Sequence, residues 1–172
     1  MKGHEAERHH PMWSFIFKGG KSAGKRLQAR KFARIPLFQH LSKRELLTIT
    51  DIVHHRTYED KEYVFKKGQP GAAMFIVASG EVRIIDRDED CNEVQLAVLG
   101  EGTFFGELAL LDDSPRSASA VAAEATDIYA FFRNDLLKLL KADPHISSNI
   151  YRSLAIIIGD RLRKTNEQLF DK

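Results

Sequence analysis

The 172 residues predict an α+β fold, in which an antiparallel β-roll (a double-stranded β-helix, jelly-roll-like) lies between N-terminal helices and one long C-terminal helix. Three observations predict it. Short alternating or β-branched apolar runs, separated by glycines and acidic turns, fill Arg56 to Phe132. A helix-start signal precedes them at Ser42. After Asp143-Pro144, an apolar stripe runs through Ile146, Ile150, Leu154, Ile157, Ile158, Leu162 and Leu169 at helical spacings. With 43% hydrophobic and 29% charged residues, the composition is that of a folded globular chain.

The chain opens with a basic segment. Residues 1–34 carry nine Lys and Arg against two acids, whereas residues 35–172 carry 17 against 22. A partly flexible leader over 1–34 and a folded domain over 35–172 are expected, with Lys18 to Gly24 as the joint and Lys25 to Ala33 as a short helix. The leader's apolar run, Met12 to Phe17, is broken by Ser14 and is far shorter than the roughly 20 residues of a membrane span. No secretory signal is present, so the cytoplasm is the expected compartment. Basic charge beside Trp13, Phe15 and Phe17 suits a membrane surface or a protein partner. The single Cys91, among Asp90, Asn92 and Glu93, supports neither a disulfide framework nor a reactive thiolate.

Ile35-Pro36-Leu37-Phe38 reads as an extended apolar stretch. Ser42 with Glu45 three residues on forms a capping box ahead of Leu46, Leu47, Ile49, Ile52 and Val53. His54 and His55 are expected at the end of that helix, where histidine favours the dipole. Expected strands are Tyr63 to Lys66, Ala73 to Ala78, Glu81 to Asp86, Val94 to Leu99, Ser119 to Ala122 and Ala125 to Phe131. Leu136, Leu137, Leu139 and Leu140 begin the closing helices, and Pro144 suits a first helical turn.

One stretch carries chemistry: Phe105-Gly106-Glu107-Leu108-Ala109-Leu110-Leu111-Asp112-Asp113-Ser114-Pro115-Arg116-Ser117-Ala118-Ser119. Gly106 permits close backbone approach, and the helix formers after it can make one short turn whose leading amides suit a phosphate. Arg116 follows a Ser-Pro turn and can return its fork to the same oxygens. Glu107 would repel a bare phosphate but would accept a hydrogen bond from a neighbouring sugar hydroxyl. A ribose phosphate is implied.

This stretch resembles the phosphate-binding cassette of the cyclic-nucleotide-binding domain family, which includes bacterial catabolite activators and kinase regulatory subunits. The resemblance extends over Phe75-Ile76-Val77, Gly80-Glu81-Val82 and Gly100-Glu101-Gly102, roughly residues 35 to 169. It implies ligand contacts at Phe105, Gly106, Glu107, Leu108, Ala109, Arg116, Ser117 and Ala118, with Glu107 on the ribose 2′-hydroxyl and Arg116 on the exocyclic phosphate oxygen. Ile84 and Leu96 resemble base-lining positions. Arg161-Leu162-Arg163-Lys164-Thr165-Asn166 is similar to the activator segment that meets adenine across a dimer, which assigns Arg161, Thr165 and Asn166 to the site. The distance from Pro144 to Arg161 is about one helical turn longer than in the activators, which would set these residues at a different height. Ser117 leaves the base open, since a hydroxyl there accompanies either nucleotide.

The expectation is therefore a sensor that binds a cyclic nucleotide, cyclic AMP favoured and cyclic GMP the alternative, needs no other cofactor, and switches conformation through its last helix, with a homodimer forming along it. The alternatives are a truncated transcription regulator of the activator type, or a regulatory subunit docked through its leader to a membrane or protein. The chain stops at Lys172, so no DNA binding is expected from it. Enzymatic activity is not expected: the seven histidines form no alternating pair on a strand for a metal, and no glycine-framed serine nucleophile occurs.

Overall fold

The structure, a computed structural model, describes residues 21–170, and side chains from residue 23 to residue 167. Trp13, Phe15, Phe17, His4, His9, His10 and the Leu169 side chain lie outside the described residues.

Helix α1 (Lys21–Phe32) leads into a short 3-10 turn (Pro36–Phe38) and helix α2 (Lys43–Ile52). The capping box forms at the start of α2. Ser42 Oγ accepts from the Glu45 amide at 3.3 Å, and the Ser42 amide donates to Glu45 Oε2 at 2.7 Å. Eight strands follow: β1 (His54–Tyr58), β2 (Tyr63–Phe65), β3 (Ala73–Ser79), β4 (Val82–Arg87), β5 (Glu93–Leu99), β6 (Phe104–Phe105), β7 (Ser119–Ala122) and β8 (Thr126–Phe132). A four-residue 3-10 turn (Glu107–Leu110) separates β6 from β7, and helices α3 (Arg133–Ala142) and α4 (Pro144–Phe170) close the chain. All strand pairs are antiparallel, in two four-stranded sheets ordered β1-β8-β3-β6 and β2-β7-β4-β5. The α+β roll predicted from sequence is the observed fold.

Strand β3 shows how the layers divide, because its pleat sends alternate side chains to opposite faces. Met74, Ile76 and Ala78 pack under the helices with Phe38, Phe131, Leu136, Ile150 and Leu154. Ala73, Phe75 and Val77 enter the interior of the roll with Val82, Phe105, Ala120 and Ile128. Two cores thus share one strand, and the roll's own core borders the cassette.

Besides the stretch from Ile35 to Phe38, expected to be extended but closed into the 3-10 turn Pro36–Phe38 with the Phe38 amide donating to Ile35 O at 2.9 Å, two expectations change. The joint expected over Lys18 to Gly24 is helical from Lys21, and Ala29 and Phe32 of α1 are buried in the core. Phe32 sets its ring edge-on to Tyr129 at 5.5 Å, and this tertiary burial outweighs the poor helix propensity of Ser22 and Gly24. Residues 21–34, expected in the leader, therefore pack with the fold. Second, α2 ends at Ile52, and His54 and His55 belong to β1, paired with Ala130 and Tyr129 of β8. Four of the five β1 residues are exposed, so no apolar alternation marks the strand in sequence; pairing with β8 creates it.

Candidate functional site

A cavity of about 760 Å³ opens between the cassette, strands β4 and β5, and the outer half of α4. Two buried charged groups line it, Glu107 and Arg116, the arginine only 8% exposed. The arginine is held at its backbone first: its amide donates to Gln69 O at 2.8 Å, and its carbonyl accepts from the Gly68 amide at 2.9 Å. Its side chain then runs inward, Nη2 donating to Ala73 O at 2.7 Å and Nη1 to Gly106 O at 3.2 Å. The guanidinium carbon sits 4.1 Å from the ring centre of Phe65 and 5.4 Å from that of Phe75, as in a cation–π arrangement. Nε is buried without a partner. Burial pulls the guanidinium below its ordinary pKa, against the opposing influence of Glu107; an arginine nonetheless stays charged.

Gly106 is required twice over. Its φ of +68° is left-handed, and a β-carbon there would lie 2.7 Å from Arg116 Nη1. The turn it opens leaves the amides of Glu107 and Leu108 without acceptors inside the turn, since the first bond closes from the Ala109 amide to Gly106 O at 3.2 Å. Gly71 presses against the same turn: a β-carbon on it would meet Ala109 Cβ at 3.0 Å and Ser114 O at 3.2 Å.

The opposite wall belongs to α4. Glu107, 5% exposed, pairs through Oε1 with Arg161 Nη1, and the Arg161 guanidinium lies 5.5 Å from the Phe104 ring centre. Thr165 Oγ1 donates to Arg161 O at 3.0 Å. Asp112 also borders the cavity, but it is exposed and accepts from the Ser114 amide at 3.0 Å.

Of the residues expected from sequence, Phe105, Gly106, Glu107, Leu108, Ala109, Arg116, Ser117, Ala118, Ile84, Arg161 and Thr165 line this one cavity. Leu96 and Asn166 do not. Ile84 pairs with Ala97, so the pleat of β5 turns Ala97 and Leu99 inward and Leu96 outward, 57% exposed. Asn166 is exposed on α4 beyond the cavity lining. Arg161 and Thr165 line the cavity with the extra helical turn before Arg161 in place. Sequence reasoning missed Phe65, whose ring carries Arg116, and Phe104. Phe65 ends a short strand with no distinguishing spacing, and only the irregular β2–β7 register brings it to the cavity.

A double core, a cassette with a buried arginine behind a left-handed glycine, and a helix over the opening together define a domain built around one cation-lined pocket. Residues 55–143 match the sequence profile described as the cyclic nucleotide-binding domain. The chain is 39% identical over 134 residues to the cyclic AMP receptor protein of Thermus thermophilus, covering 78% of this chain and 60% of that one. It is also 39% identical over 93 residues to the cAMP-dependent protein kinase regulatory subunit of Mycosarcoma maydis, 54% of this chain and 18% of the relative. The crystal structure of Thermus thermophilus catabolite activator protein superposes with a TM-score of 0.71 at 38% identity, covering 78% of this chain and 61% of the other. The chain belongs to the cyclic nucleotide-binding domain family and is a cyclic-nucleotide-binding regulatory module. It spans about three-fifths of the first relative's length and less than a fifth of the second's. Among the described residues, no helix is long and apolar enough to cross a membrane.

Proposed function

We propose that the cavity takes a cyclic nucleoside monophosphate, cyclic AMP ahead of cyclic GMP, and that the chain answers by resetting α4 against the roll. Arg116 carries the reading. A guanidinium this buried, with neutral carbonyls as its hydrogen-bond acceptors and Nε unpaired, is a charge awaiting an anion. A phosphate oxygen would satisfy it in fork geometry.

Charge selects the kind of phosphate. Two arginines and one carboxylate face the inner cavity, leaving one positive charge over; Asp112 is at the exposed edge. A cyclic diester carries a single negative charge, whereas a phosphomonoester carries about 1.5 to 2 at neutral pH. The diester matches. Glu107 accepts from the ribose hydroxyl, in place of or together with Arg161, and so links the ligand to α4. The base lies among Ile84, Ala97, Leu99, Ile158 and Leu162, with Thr165 to meet its edge. The names of the receptor and kinase-subunit relatives, and Thr165 beside the cavity, favour adenine. Exposed Ile156 and Leu162 on α4 suit pairing with a second copy.

Calorimetric titration with cyclic AMP, cyclic GMP and 5′-AMP tests the assignment. Removing a buried member of a charge pair costs about 2 to 5 kcal/mol, so Arg116→Ala should weaken cyclic AMP at least tens-fold. Equal affinity in the variant, or 5′-AMP binding as tightly as cyclic AMP, would overturn it.

A further inference from the structure

No aspartate or glutamate occurs between Glu7 and Glu45, and within that stretch α1 carries Lys21, Lys25, Arg26, Arg30 and Lys31, with Arg34 in the turn beyond it. Two of these cations are neutralised within the chain. Lys25 pairs with Asp51 of α2, and Lys31 Nζ reaches Glu101 Oε1 at 2.6 Å across a second, smaller cavity of about 570 Å³. Arg26, Arg30 and Arg34 are different. They stand four residues apart on one exposed face, opposite the buried Ala29 and Phe32, and among the described residues no hydrogen bond or ion pair engages their guanidiniums. Stability does not explain the row. Like charges four apart on a helix repel, and the helix dipole, which favours cations in the last turn, accounts for Arg30 but not for Arg26. Leu27, three residues before Arg30 and on the same face, is 39% exposed. The face is thus a convex row of unpartnered guanidiniums, about 12 Å from end to end at a helical rise of about 1.5 Å per residue, with an aliphatic side chain beside it.

We infer that this face of α1 docks on a membrane surface bearing anionic phospholipid, each guanidinium forking a headgroup phosphate while Leu27 enters the boundary with the acyl chains. Charge complementarity sets the sign of the partner, and Leu27 sets its kind. An aliphatic side chain among the cations gains from a headgroup–acyl boundary, whereas the phosphate backbone of a nucleic acid offers it nothing apolar. An acidic peptide is ordered by a groove or a strand edge, and this row stands on a ridge. The rest of the molecule orients the contact. Residues 35–172, with 17 Lys and Arg against 22 acids, are repelled by the same surface, which leaves α1 as the face presented. Because Ala29 and Phe32 hold the opposite face in the core, the helix docks without leaving the fold.

The inference is independent of which ligand fills the first cavity. Sedimentation of the full chain with vesicles tests it, using phosphatidylcholine alone and phosphatidylcholine mixed with phosphatidylglycerol. Binding should require the anionic lipid, and should weaken between about 0.1 M and about 1 M salt as the screening length falls from about 10 Å to about 3 Å. Each of Arg26→Gln, Arg30→Gln and Arg34→Gln should lower the partition coefficient about fivefold, and the triple variant about a hundredfold. Leu27→Gln should lower it a fewfold without altering the salt dependence. The basic leader is intact in every variant, and melting followed by circular dichroism should not fall, because each altered side chain is exposed. Absence of sedimentation with the anionic vesicles overturns the inference. Sedimentation unchanged in the triple variant overturns it too, and would assign the contact to residues outside this face. So does a duplex oligonucleotide held more tightly than the vesicles and released by the triple variant, which would make the row a nucleic-acid contact.

Discussion

The two walls of the larger cavity are built in opposite ways. On the cassette side, Arg116 is locked by backbone pairing to the Gly68–Gln69 segment, two carbonyls and two aromatic rings, so its position is set before any ligand arrives. On the α4 side, the lower helix is anchored, with Ile146, Ile150 and Leu154 all buried, while every residue from Asp160 to Glu167 is exposed. One ion pair, Arg161 with Glu107, joins that exposed stretch to the cassette. A preformed wall lowers the ordering cost of binding. A lightly tied wall is the part a ligand can move, since a ligand shifts an equilibrium only through differential contact.

The contrast can be broken most severely at the rigid wall. Arg116→Lys keeps the charge but loses the planar fork, and should weaken cyclic AMP about tenfold or more in calorimetry, while Arg116→Ala goes further. Gly106→Ala comes next. A left-handed alanine costs about 1 to 2 kcal/mol, and its β-carbon would crowd Nη1, so both the melting temperature and the affinity should fall, the latter about tenfold.

The movable wall should respond differently. Arg161→Gln leaves the cassette in place and frees α4; with the Arg161 side chain 53% exposed, the pair's worth is discounted to about 1 kcal/mol, and the affinity change to about fivefold. Hydrogen exchange in ligand-free protein should rise in the outer half of α4 and remain unchanged over Phe105 to Ser119. A rise across the cassette instead would show that the two walls are not separable.

The smallest effect concerns the anchor at the base of α4. There His145 Nδ1 lies 2.7 Å from Glu45 Oε1. Hydrogen bonds from Ser42, with a further contribution from His145, hold the Glu45 carboxyl below its ordinary pKa. A carboxyl lowered on folding adds stability above its unfolded pKa of about 4.3, and that stability is lost as pH falls through the folded value. Wild type should therefore lose an increment of melting temperature on acidification below that range, and Glu45→Gln should lack that increment. Parallel pH profiles for the two proteins would remove Glu45 from the anchor.

Much of this was legible in the residues themselves. The capping box at Ser42, the strand runs from Ala73 to Ala122, the proline at the start of α4 and the spacing from Gly106 through Glu107 to Arg116 are local chemistry, and each stands where the sequence predicted it. The misses share one cause. His54-His55 looked like a helix end, because β1 owes its existence to β8. Leu96 looked like a pocket residue, because only strand register says which face of β5 turns inward. Lys21 to Gly24 looked like a joint, because Phe32 needed Tyr129 and Phe38 to draw the helix into the core.

Local backbone preferences and short-range periodicity are properties of a few neighbouring residues, so the capped helix, the apolar strand runs, the closing helices and the composition of the cassette were determined by sequence alone. Which aromatic ring supports Arg116, that Arg161 meets Glu107 across 54 residues, and which side of each strand faces the cavity were decided only by tertiary structure. Such contacts depend on register and packing between segments far apart in the chain, and no local pattern encodes a distance between them.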